Sequence, residues 1–252
     1  MNADTLAAAL DLPAGSRVDQ RVPKKLLLEN GAPTAADRRY INDGIDELLW
    51  LAALKPTTIG VPEYRDDVRE YLEVAVLQLT LRANARAARL VELVHRAVPY
   101  PVLLLTAGAD RPGISAVHKR WSQGEAGKTV LEGEVVSVEW QTALDGEYWH
   151  AFGAALALGQ QPRNTLYTLY QGWIDTLLAL HAARVTGLFA VASNASEAAA
   201  RSEALRQYSR LVEEIARLRA AAAKERQMPR RVELNLELKR AEAAQTAARA
   251  RL

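Results

Sequence analysis

The chain has 252 residues, of which 49% are apolar, and a formal net charge of +2. This length exceeds a usual single domain of roughly 100 to 200 residues, so we expect one main domain with an appendage, and the apolar content excludes global disorder. There is no cysteine, which excludes disulfides, thiol nucleophiles and cysteine-ligated metals. No apolar run approaches the roughly 18 residues of a membrane span and no secretory signal is recognisable, so we expect a cytoplasmic protein.

Positive charge is concentrated towards the C-terminus. Residues 201–252 contain 13 Lys and Arg against 7 Glu, a net charge of +6, whereas the first 200 residues have a net charge of −4. Such segregation favours a nucleic acid or an acidic protein as partner of the tail, although solvated helices of Arg-rich proteins also show it.

The N-terminal part predicts an irregular segment followed by a helix. Residues 11–32 contain turn signals and prolines. Residues 33–56 then have apolar side chains such as Ile41 and Ile45 at helical spacing after the cap candidate Thr34. We predict one helix over most of this segment.

The middle of the chain predicts a β-α-β unit. Residues 71–81 have the apolar content of a strand that is buried on both faces, 85–98 follow as a helix, and 102–106 form a short apolar strand. A unit of this length predicts two parallel neighbouring strands joined by a right-handed crossover.

Two further strand candidates, in residues 113–122 and 132–141, flank a Gly-containing loop. A helix over 163–185 closes the segment. The predicted fold class is therefore α/β (α+β), with a small mixed sheet and flanking helices forming a core domain over residues 1–192.

Residues 193–252 predict an antiparallel coiled-coil helical hairpin. Apolar and alanine residues recur there at spacings of three and four, and Pro229 interrupts the pattern. The alanines make the seam thin, so we expect the hairpin to need a further helix to pack on. The predicted partner-binding residues are Tyr208, Leu211, Ile215, Leu218, Leu234 and Leu238.

Clusters of basic residues leave a second interpretation open. They lie at the hairpin tip, along its second helix, and in the segments RVPKK and HKRW, where they could contact phosphates. A solvated tip and ordinary strand ends would explain the same clusters. The candidate nucleic-acid-binding residues are Arg226, Arg230, Arg231, Lys239, Arg240, Lys24, Lys25, Lys119 and Arg120.

Signals for catalysis are weak. The four histidines form no closely spaced pair, and neither a phosphate-binding loop nor a serine nucleophile motif is present. His95 falls on the polar side of its predicted helix. We therefore expect neither a cofactor nor a metal, and no enzymatic activity.

A metal-dependent nuclease is the third hypothesis, because a β-α-β core is common to restriction-type nucleases. Such a site needs an Asp on one strand and a Glu-x-Lys on the next. The strand here offers Gln78, Thr80 and Arg82 instead, so a nuclease would depend on an unrecognised site that includes Glu73 or Asp67.

Five segments occur in a recognisable order: VDQRVPKKLLLENG, IDELLWLAALKPTTI, LVELVHRAVPYPVLLL, the pair EW at 139 and 140, and KERQMPRRVELNLELKR. Together they resemble the bacterial family of domain of unknown function 4391. The resemblance extends from about residue 12 to residue 239. Its two specific motifs are the strand entry at Pro99, Tyr100 and Pro101, and the hairpin motif at Glu225, Gln227, Arg231, Val232, Glu233, Leu234 and Asn235.

The sequence departs from the family pattern at Met228 and Pro229. It also departs in residues 82–84, directly after the predicted strand 71–81, which weakens the case for a basic site there.

The resemblance implies a small α/β domain with a C-terminal helical pair, encoded beside DNA methyltransferases and helicases in restriction and antiphage islands. It assigns no catalytic residue. We therefore expect a non-catalytic accessory subunit that docks a larger helicase, ATPase or DNA methyltransferase through its hairpin. The alternative is a nucleic-acid-binding adaptor.

Overall fold

A computed structural model of the chain describes residues 2–108, 111–125 and 127–252. The described helices are α1 (Ala3–Ala9), α2 (Lys24–Asn30), α3 (Ala35–Gly44), α4 (Pro56–Ile59), α5 (Ala87–Ala97), α6 (Thr142–Asp145), α7 (Trp149–Leu156), α8 (Leu166–Thr186), α9 (Ala195–Lys224) and α10 (Met228–Arg249). The strands are β1 (Arg17–Arg21), β2 (Ile45–Leu54), β3 (Tyr64–Arg65), β4 (Glu70–Tyr71), β5 (Val74–Leu81), β6 (Val102–Gly108), β7 (Gly113–Trp121) and β8 (Thr129–Glu139). Contacts divide the chain into two compact units, residues 1–177 and 178–252.

The first unit is built on a mixed six-stranded sheet in the order β1-β2-β5-β6-β7-β8. Neighbouring strands are antiparallel except β5 and β6, which are parallel and are connected through α5. This confirms the predicted mixed α/β class and the β-α-β unit. The short strands β3 and β4 form a separate antiparallel ribbon.

The prediction of one helix over residues 33–56 is wrong in its second half. Helix α3 ends at Gly44, and the chain continues directly as β2. Strand β2 lies between β1 and β5, and its last four residues, 51–54, are all buried. A strand covered on both faces is apolar almost continuously, so its residues also satisfy a helical spacing.

Two elements arise from the segment that was predicted to be irregular. Strand β1 pairs with β2 at the sheet edge, and α2 begins directly after Pro23. Proline is well tolerated at the start of a helix, so the prolines here mark element boundaries.

The main core of the first unit lies between the sheet and α2, α3 and α5. It contains, among others, Ile41, Leu79, Leu90, Val94 and Leu104, each essentially without solvent exposure. Further large buried side chains come from α7 and from the part of α8 that belongs to this unit: Phe152, Tyr170 and Trp173.

Strand β8 is one edge of the sheet and is mostly half-buried or exposed. Its pairing with β7 shifts register between Ala116 and His118, opposite Gly133, which has a φ of +84°. This combination is typical of a β-bulge, which bends an edge strand and increases its twist. Glu132 and Glu134 flank the bulge.

The second unit contains the two longest helices, α9 and α10. The side chain of Asn194 caps α9 by accepting a hydrogen bond from the Glu197 backbone N–H at 3.0 Å. The helices run in opposite directions, since Arg219 pairs with Glu242 at 2.7 Å and Arg251 bonds to Gln207 at 3.1 Å. Pro229 lies in the first turn of α10, where its missing N–H costs nothing.

Among the described residues, no helix combines the length and apolar character that crossing a bilayer requires.

Candidate functional site

The predicted partner-binding residues of the hairpin pack mainly against one another. Ile215, Leu218 and Leu234 are buried between α9 and α10 together with two alanines. Leu211 and Leu238 pack against this cluster and are half-buried. Tyr208 is half-buried as well. The seam is therefore filled within the chain, and a partner would contact the outside of the hairpin; partner binding itself stays a prediction.

The outside of α10 carries an apolar row. Met228, Val232 and Leu236 recur every four residues on the side of the helix opposite the seam. Their exposed fractions are 62%, 53% and 52%. Surface hydrophobic residues are usually scattered singly, so three in register on one helix face are unusual. This row could have been found from the sequence by its spacing.

Basic side chains flank this row. Arg231, Lys239 and Arg240 are exposed, and within the part of the chain that the structure describes they make no ion pair. We call the row and these three residues the outer face of α10. Arg226, at the tip, is similarly exposed and unpaired, whereas Arg230 pairs with Glu233 at 2.7 Å.

The candidate nucleic-acid-binding residues of the first unit do not form one free basic patch. The Lys24 ammonium group donates to the Ile45 carbonyl, and Lys25 pairs with Glu29 at 3.6 Å. Arg120 donates to the Trp121 carbonyl at 3.1 Å. Lys119 is only 3% exposed, so its assignment as a phosphate contact is wrong in the described fold.

Lys119 instead stabilises the end of helix α5. Its ammonium group donates to the carbonyls of His95 and Val98, which have no partner inside the helix, and a cation also complements the negative end of the helix dipole. Burial lowers the pKa of Lys119 to about 7 because the charged form is taken out of water.

The placement of His95 on a polar helix side is also wrong, because the side chain is completely buried. Its Nε2 lies 2.9 Å from the Ser115 hydroxyl on β7, while Nδ1 has no partner. Burial first, and then the charge of Lys119, lower the pKa of His95 to about 3.

An open cleft of about 980 Å³ lies beside these residues, between α5 and strand β8. Its walls mix both charge signs, with Glu92 and Arg96 on α5 paired at 2.7 Å. Its lining also includes apolar side chains, among them Leu81, Val91 and Val135.

The family model described as "Domain of unknown function (DUF4391)" matches residues 10–244 of the chain. The chain belongs to the DUF4391 family. This confirms the family resemblance and covers most of both units. No curated protein and no solved structure matches the chain significantly. The DUF4391 description assigns no activity, so function has to be inferred from the residues.

In this DUF4391 chain, a half-buried network of polar side chains surrounds His118. The Tyr71 hydroxyl donates to His118 Nδ1 at 2.5 Å, His118 Nε2 donates to the Gln171 side-chain oxygen at 2.7 Å, and Gln171 donates to Asp175 at 2.8 Å. This chain of bonds assigns the proton to Nε2. Burial lowers the pKa of His118 to about 4.

Arg69 ties the β3-β4 ribbon of the DUF4391 domain to this group. Its guanidinium bonds to the Tyr167 hydroxyl at 2.9 Å and to Glu132 on β8 at 3.0 Å. It also lies over the Tyr167 ring, 5.2 Å from the centroid. Through these contacts the half-buried network joins the ribbon, α8 and β8.

The carboxylates of the nuclease hypothesis are placed apart from any convergent ligand set. Glu73 is buried and pairs with Lys55 at 3.0 Å, and Asp67 is exposed in the β3-β4 ribbon. Over residues 2–108, 111–125 and 127–252, no three His, Asp or Glu side chains are grouped as metal ligands. Gln78 and Thr80 lie half-buried on β5.

Proposed function

We propose that this DUF4391 protein is a non-catalytic accessory subunit of a bacterial antiphage or restriction-type DNA-defence complex. In this proposal the C-terminal hairpin docks a larger helicase or DNA methyltransferase. The observation that carries the docking role is the exposed apolar row on α10. The class of partner rests on the family resemblance alone.

The energetics favour a contact that includes this row. Fully burying each side chain of the row would contribute about 1.5–3 kcal/mol. Association costs about 4–15 kcal/mol in lost freedom, so the row offsets part of that cost and needs further contacts. The flanking cations are placed to supply them, because they make no ion pair within the described chain; Arg231 donates to the Met228 sulfur at 2.8 Å.

The hairpin seam supports a pre-formed docking element. Because Ile215, Leu218 and Leu234 are already buried within the chain, the outer face is held on a folded helix pair before a partner arrives. A pre-organised surface loses little conformational entropy on binding.

A nucleic-acid-binding adaptor is the second candidate. The unpaired cations Arg226, Arg231, Lys239 and Arg240 favour it, since each could neutralise one phosphate. The row between them is aliphatic, and it lacks the aromatic side chains on which bases stack. We therefore place protein docking first.

The decisive experiment co-expresses the full chain with the products of its neighbouring genes and determines masses in solution at low and high salt. Docking predicts a salt-resistant complex that Val232→Asp with Leu236→Asp abolishes. Val212→Asp is the matched control, because Val212 is 43% exposed on α9, the other helix of the hairpin.

The two candidates give different outcomes. A complex that persists with the double variant, or that none of the neighbouring products forms, would contradict docking through the outer face. A chain that stays alone but shifts a DNA duplex at low salt, with affinity falling steeply as salt rises, would replace it with the adaptor.

A further inference from the structure

The side chains of the outer face of α10 indicate the chemistry of the surface that would bind there. Met228, Val232 and Leu236 form its middle, and Arg231, Lys239 and Arg240 lie beside them. The helix also contains three glutamates. Glu237 lies towards the seam, whereas Glu233 lies beside Leu236, three residues away. Glu233 is engaged by Arg230 and Glu242 by Arg219. Within the described chain, the charges beside the row that make no ion pair are thus cationic.

We infer that the docking segment of the partner is an acidic amphipathic helix. This inference rests on the proposed docking function and specifies its chemistry. Apolar side chains of the partner at spacings of three and four would pack against Val232 and Leu236. Its carboxylates would pair with Arg231, Lys239 and Arg240.

Repulsion between cations disfavours a second copy of this chain as the partner that covers the outer face. Two outer faces brought together would place three cations of one against three of the other, and like charges across an interface oppose binding. Carboxylates opposite the same cations would steer the encounter and fix the register.

The length of the face also fits a short helix. From Met228 to Arg240 the face covers about three turns, or roughly 18 Å of helix. A partner segment of about 12 to 14 residues would span it.

The test measures binding of the full chain to two synthetic peptides by fluorescence anisotropy. Each peptide has about 14 residues, with leucines at helical spacing; one has glutamates beside the leucine row and the other has glutamines there. We expect the glutamate peptide to bind at least about tenfold more tightly, in a salt-sensitive manner.

Three variants locate the site. Val232→Ser with Leu236→Ser should weaken binding of the glutamate peptide by at least about tenfold. The triple variant Arg231→Glu, Lys239→Glu and Arg240→Glu should abolish it. Val212→Ser should leave it unchanged, and circular dichroism should show unaltered helix content for all of them.

The inference fails if neither peptide binds, or if both bind equally. It also fails if the outer face instead binds phosphatidylcholine–phosphatidylserine vesicles or a DNA duplex in preference to the glutamate peptide. If the co-expressed complex forms and is lost with Val232→Asp and Leu236→Asp while the glutamate peptide is not bound, docking stands and only the acidic helix is wrong.

Discussion

Burial changes the acid–base behaviour of single residues in the first unit. His95 is fully buried and His118 is largely enclosed, and they bond to the neutral groups of Ser115 and Gln171, so each is held as neutral imidazole. Their pKa values of about 3 and about 4 lie well below the ordinary 6.5. In the unfolded chain both histidines would have the ordinary pKa.

This difference predicts acid destabilisation at mildly acidic pH. Below pH 6.5 the unfolded chain takes up protons that the folded chain does not bind, so the free energy of unfolding should fall as the pH drops from about 6.5 to about 4. Urea unfolding followed by tryptophan fluorescence measures this, since all five tryptophans lie before residue 178.

A matched pair of variants assigns the effect. His118→Gln should make the decline with falling pH shallower, because one of the two groups no longer titrates. His150→Gln is the control variant, since His150 is an exposed histidine of the same unit. Equal slopes for wild type and His118→Gln would show that His118 does not titrate in this way.

The roles of these residues could not be predicted from the sequence. Lys119 lies between His118 and Arg120, and His95 is followed by Arg96, so both have the pattern of surface positions. Their burial depends on partners distant in the chain, such as Ser115 for His95. Local periodicity carries no information about such pairs.

At the scale of elements, the end of the β5-β6 pair depends on a glycine. Gly108 is opposite Leu81 and has a φ of +79°. A Cβ at this position would overlap the Leu81 carbonyl oxygen. The backbones of the two parallel strands thus approach too closely for any side chain.

Two glycine substitutions separate steric overlap from backbone strain. Gly60 also has a positive φ, +65°, but nothing lies within 4 Å of its Cβ position. Gly60→Ala should cost about 1–2 kcal/mol of unfolding free energy from strain alone, whereas Gly108→Ala should cost clearly more. Urea unfolding of both variants measures the difference, and equal losses would show that the β5-β6 contact gives way easily.

Elements with local signals were predicted well from the sequence. The crossover helix α5, strands β5 and β6, and helix α8 all lie close to their predicted positions. Strand β2 was missed because a central strand and a buried helix segment share the same apolar run, and only pairing with β1 and β5 distinguishes them. The hairpin seam was read from its spacing, but its filling within the chain required the packing of α9 on α10.

For the whole molecule, the sequence predicts a boundary between residues 192 and 193, whereas contacts divide the chain at residue 177, inside α8. The connection between α8 and α9, residues 187–194, has no helix or strand. Leu188 within it is 71% exposed.

Limited proteolysis should therefore begin in this connection. Chymotrypsin at low ratio is expected to cut first beside Leu188 or Phe189, and the N-terminal product should retain native tryptophan fluorescence. Replacing both residues by aspartate should remove the early cut. Initial cleavage in the hairpin, for example beside Leu236, would show instead that the helix pair opens before the connection is cut.

The bulge of β8 restricts how this molecule can assemble. A long, flat edge strand offers its backbone as a template for a strand from another chain, but a bent one with Glu132 and Glu134 beside Gly133 does not. The β8 edge is thereby guarded against growth by strand addition and against the aggregation that follows from it. A protein that docked at this edge would have to be recognised by side chains, which discriminate between partners, because backbone pairing accepts almost any extended sequence.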